Sequence, residues 1–89
     1  MTKNEFNELF DQMCYGHEAE ISYKGKQYFL EWNKMTLTVY DTTDEHSSIV
    51  AEICAKDIIS TVSKFFDTPI FDNNRLNVIY GDIEIVDIE

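Results

Sequence analysis

The chain has 89 residues and a formal charge of −10, from seventeen acidic and seven basic side chains. That length holds one domain with one modest core, and a 44% hydrophobic share with one proline and three glycines is not the composition of a disordered chain. Sparse lysine and arginine argue against direct binding to nucleic acid, and no run of about 18 apolar residues is present to span a membrane.

Thr2, followed three residues later by Glu5, is a capping-box signature. Behind it Phe6, Leu9, Phe10 and Met13 recur at i, i+3, i+4 and i+7, with Cys14 next. This spacing predicts an amphipathic helix of about three turns, with Gly16 as its C-terminal stop. The first five residues lack the charged-then-apolar layout of a signal peptide, so a cytoplasmic protein is expected. In that compartment Cys14 and Cys54 are expected as buried thiols rather than a disulfide.

Residues 19–40 alternate with period two in three runs, Ala19–Tyr23, Tyr28–Trp32 and Met35–Tyr40, which predicts an antiparallel meander. Two-residue loops at Gly25-Lys26 and Asn33-Lys34 set Tyr23 against Tyr28, Ile21 against Leu30 and Leu30 against Leu37. Nine residues then share the core face: Ala19, Ile21, Tyr23, Tyr28, Leu30, Trp32, Met35, Leu37 and Val39. The outer face carries Phe29 and Tyr40 beside Glu20 and Glu31, which this register sets opposite each other as a like-charged pair.

Asp41–Ser48 is a polar connection. Ile49, Ala51 and Ile53 alternate, which favours a fourth strand over the start of a long helix. Ile58, Ile59, Val62, Phe65 and Phe66 form a helical stripe that Asp67-Thr68-Pro69 ends. Ile70-Phe71 reads as an apolar plug, Asp72-Asn73-Asn74 as a turn, and Arg75–Tyr80 as a short helix stopped by Gly81. The closing segment from Ile83 onward alternates as a strand added to the sheet at long range. The fold class expected is α+β in a single domain spanning residues 1–89.

The segments Tyr23–Tyr28, Pro69-Ile70-Phe71-Asp72, Leu76 and Asp82-Ile83-Glu84-Ile85 resemble small acidic bacterial proteins, often carried on mobile elements. The likeness covers about two thirds of the chain, rests on structural residues and transfers no catalytic or binding position.

No nucleophile–base–acid grouping, phosphate loop or dinucleotide fingerprint is present, so a non-enzyme without a cofactor is expected. Asp44, Glu45 and His46 lie close together in sequence, and Cys14-X-X-His17 is half of a zinc pattern. Neither completes a metal-ligand set, and both read as surface residues. What remains is charge, since eight of the ten net negative charges fall after residue 40. The expected partner is a protein with a basic surface, met by Asp41, Asp44, Glu45, Asp82, Glu84, Asp87 and Glu89. Phe29 and Tyr40 would form an apolar contact on the outer sheet face, for that partner or for a weak homodimer of an otherwise monomeric protein. An inhibitor that mimics nucleic acid in the channel of a defence nuclease fits this reading. The alternatives are an antitoxin or immunity protein, and a small-molecule or metal binder.

Overall fold

The computed structural model describes residues 1–89. Helix α1 (Lys3–Cys14) begins at the expected cap: Thr2 Oγ1 accepts from the Glu5 N–H at 3.1 Å, and Glu5 Oε1 accepts from the Thr2 N–H at 2.8 Å. Donation by the Thr2 N–H, and then by the Thr2 hydroxyl, holds the Glu5 carboxyl below its ordinary value. At the other end Gly16 turns left-handed at φ +88°, a conformation that costs glycine little.

Strands β1 (Ala19–Tyr23), β2 (Lys26–Asn33), β3 (Thr36–Asp41), β4 (Ser48–Cys54) and β5 (Ile83–Ile88) form one antiparallel sheet in the order β4-β3-β2-β1-β5. The meander is present, but each hairpin is displaced by two residues from the expected register. Lys24-Gly25 makes the first turn, with φ +49° and +81°, so Ile21 faces Tyr28 and Ala19 faces Leu30. Lys34, not Asn33, carries the positive φ of the second turn, and Leu30 faces Val39. A shift of two keeps every side chain on its expected face. Seven of the nine expected core residues are therefore buried, while Trp32 is half-buried and Met35, in the turn, is exposed. The shift also removes the expected clash of like charges, since Glu20 faces Phe29 and Glu31 faces Thr38.

Residues 48–54 are a strand, as the alternation favoured, but only Ala51 and Ile53 turn inward. The pairing of β3 with β4 slips between Val39 and Tyr40, leaving Val50 as the extra residue of a bulge. Ile49 thereby pairs with Tyr40 and is exposed rather than in the core. Cys54 is also exposed and Cys14 partly so; both are free thiols, against the expectation of two buried ones.

Helix α2 (Ile58–Phe66) is capped by Asp57, whose Oδ1 accepts from the Ser60 N–H at 2.7 Å. Its buried face is Thr61, Val62, Phe65 and Phe66, and Ile59 points to solvent. The fully buried Thr61 is satisfied, since its hydroxyl accepts from the Ala55 N–H and donates to the Asp57 carbonyl. Beyond Pro69, Phe71 is the expected plug, fully buried and edge-on to Tyr23, Tyr28 and Phe65. Asp72 and Asn73, both left-handed, turn the chain back so that Phe71 and Asn74 pair. A short helix α3 (Leu76–Ile79) runs into a 3-10 turn (Tyr80–Asp82) that contains Gly81, so that glycine is not a left-handed stop. Leu9 and Met13 of α1 join Val62, Phe65, Phe66, Phe71 and Leu76 over the inward residues of the strands. All helices thus lie on one face of the sheet.

Candidate functional site

The other face of the sheet has no element packed on it. Register decides what it shows, because side chains alternate between faces. Ile49, Tyr40, Phe29, Glu20 and Asp87 lie side by side across all five strands. Beside that row run Glu52, Thr38 and Glu31, and Glu84 stands opposite Ser22. Five of the six acidic strand residues therefore share this face: Glu20, Glu31, Glu52, Glu84 and Asp87.

The bases are sorted the other way. Lys26 is the only lysine or arginine in any strand. It sits opposite Tyr23 on the helix side, with Nζ 3.7 Å from Asp72 Oδ1. The open face is thus anionic without internal neutralisation. At its middle Phe29 and Tyr40 are cross-strand partners, both half-buried by their neighbours. Thr38, between Glu31 and Glu52, is only 7% exposed. Both edge strands end their apolar pairing in a bulge, and the bulged residues Val50 and Val86 are exposed.

The seven carboxylates singled out from sequence fall in separate places. Glu84 and Asp87 are on the open face, on edge strand β5. Asp82 ends the 3-10 turn just before it and is exposed. Asp44 and Glu45 lie in the exposed loop between β3 and β4, toward the opposite edge, roughly 15–20 Å away at about 4.8 Å per strand. Asp41 is opposite Tyr28 on the helix-side register, where its Oδ1 accepts from the Thr43 N–H at 3.0 Å. Hydrogen bonds from the Thr43 side chain and backbone hold its carboxyl below the ordinary value. Glu89 is tied back to the start of β1, its N–H donating to the Glu18 carbonyl at 2.8 Å. Phe29 and Tyr40 do lie together on the outer face, as the alternation placed them. Glu52 was not singled out, although its outward face follows from the inward Ala51 and Ile53 on either side; the bulge at Val50 changes the face of Ile49 instead.

No group of three or more His, Cys, Asp or Glu side chains is arranged to hold a metal ion. On the helix side an open groove of about 510 Å³ is lined by Phe6, Phe10 and Phe66 with Asn7, Asp11 and Asn77 at its rim. The rings floor it by packing edge-on, with Phe66 5.3 Å from both Phe6 and Phe10. No helix of the protein is long and apolar enough to cross a membrane. Comparison with protein-family models, with curated proteins and with solved structures gives no match to the chain.

Proposed function

We propose that this is a non-catalytic interaction protein that acts by docking its open sheet face on a basic surface of another protein. The one-sided sorting of charge carries this reading: five carboxylates flank an aromatic pair on an uncovered face, and the one strand lysine is turned away. A sheet fixes its carboxylates about 4.8 Å apart across strands and about 7 Å apart along them. The backbone beneath such an array is ordered before its partner arrives, so only side-chain freedom remains to be lost on binding. Its field also steers a cationic partner toward the face.

Occupying a basic channel that otherwise holds nucleic acid would make the protein an inhibitor of, for example, a defence nuclease. Neutralising a basic toxin draws on the same surface and the same forces, so the partner's identity separates those two roles. The test is a pull-down from the source cell at low ionic strength, with the recovered partner's affinity then measured against salt. Wild type is compared with a variant carrying amides at Glu20, Glu31, Glu52, Glu84 and Asp87. Binding should weaken steeply with salt and be lost in the variant. A partner indifferent to both would overturn the proposal.

A further inference from the structure

We infer, resting on the reading above, that the open face selects arginine over lysine on its partner. The ground is the place of Phe29 at a corner of the charge pattern. On one side its cross-strand neighbour is Tyr40, and on the other it is Glu20. Glu31 follows two residues along the same strand and on the same face. The ring thus has an aromatic neighbour and two carboxylates within about 5–7 Å of backbone spacing.

A guanidinium matches this arrangement in two respects at once. Its flat face stacks on an aromatic ring, and its in-plane N–H groups donate in pairs to carboxylate oxygens at the ring's edge. An ammonium is attracted by the same charges but is compact and strongly hydrated, and it has no plane to stack. Beyond Glu31 on the same face lies Thr38, only 7% exposed between Glu31 and Glu52. Charge selects the occupant too, because a second copy of this chain would bring five more carboxylates against the five already there.

The test is calorimetric titration of the intact protein with decaarginine and with decalysine peptides at one low ionic strength. Decaarginine should bind about tenfold more tightly, as expected from stacking of one or two guanidinium groups. Phe29→Leu keeps an apolar side chain but removes the ring, and should bring the two peptides to within about twofold of each other. Tyr40→Leu serves as a second variant, and an unchanged melting curve shows that either one is folded. Equal affinity of wild type for both peptides would overturn the arginine inference while leaving the acidic-face reading in place. Failure of both peptides to bind would overturn the two together. Dimerisation of the free protein that Phe29→Leu abolishes would also overturn the inference, since the face would then be occupied by a second copy.

Discussion

Converting the five open-face carboxylates to amides should make the protein more stable while it abolishes binding. The charges are close enough to repel measurably. Glu20 and Asp87 are cross-strand neighbours, and unit charges about 6 Å apart in water repel by roughly 0.7 kcal/mol. Glu31 and Glu52 are separated by the strand that carries Thr38, and at about 10 Å they add roughly 0.4 kcal/mol. With no base on the face to offset them, the total released is on the order of 1 kcal/mol at 10 mM salt. For a domain of this size that is a rise in Tm of roughly 4–8 °C. At 1 M salt, where the Debye length is about 3 Å, the gain should almost vanish. Thermal melts of both proteins at the two salt concentrations measure it. Lower stability of the variant at low salt would mean that the carboxylates hold the fold together. A gain undiminished at 1 M would mean that something other than charge had changed. Either result would refute the reasoning.

Phe71→Ala should cost about 3–5 kcal/mol, since the ring is fully buried against three others; urea melts should show a lower midpoint, and a loss below about 1 kcal/mol would mean that residues 67–75 do not close the core. The Asp57 carboxyl lies below its ordinary value of 3.8 because it accepts from the Ser60 backbone and hydroxyl. A carboxyl so lowered stabilises the fold fully above its unfolded-state value, and that contribution disappears as the pH falls through the folded-state value. The advantage of wild type over Asp57→Ala should therefore be constant near neutrality and shrink below about pH 4 in melts across pH. Thermal shift with calcium, zinc and nucleotides should show no change; a ligand at a hundred times its Kd would add about 2.7 kcal/mol, and such a gain with either ion would bring Asp44, Glu45 and His46 forward.

The faces of the meander were legible because they depend only on parity. Ile21, Leu30 and Val39 alternate with polar residues whichever two residues form the turn, so an error of two in register left the core intact. The turns themselves were not legible, because glycine fits either central position and Lys24 and Lys34 give no sign of adopting positive φ. In the helices the apolar stripe located α2 but misassigned Ile59, because the buried place goes to Thr61, whose hydroxyl finds partners at Ala55 and Asp57. The open face was half legible. Glu20, Glu31, Phe29 and Tyr40 follow from alternation, whereas Asp87 comes beside Glu20 only because β5 joins β1 from more than sixty residues away. Local pattern carries no information about that pairing.

Acidity on a sheet has a plainer use, which is to keep unpaired edges from joining other chains. That use accounts for part of this surface. Edge strand β5 carries Glu84 and Asp87, edge strand β4 carries Glu52, and each is bent by a bulge at an exposed valine. It does not account for Glu20 and Glu31. These lie on the interior strands β1 and β2. Glu20 is paired on both sides, and past Leu30, where the β1 ladder ends, Glu18 Oε2 already accepts from the Trp32 N–H at 3.0 Å. Neither glutamate therefore guards a free outer edge, and glutamate is a poor strand former. The two explanations therefore separate by position. Amides at Glu84 and Asp87 should raise aggregation on heating more than they weaken binding. Amides at Glu20 and Glu31 remove the same charge but should weaken binding more and leave aggregation nearly unchanged. Equal effects of the two pairs on binding would reduce the face to its net charge, and the corner around Phe29 would lose its meaning.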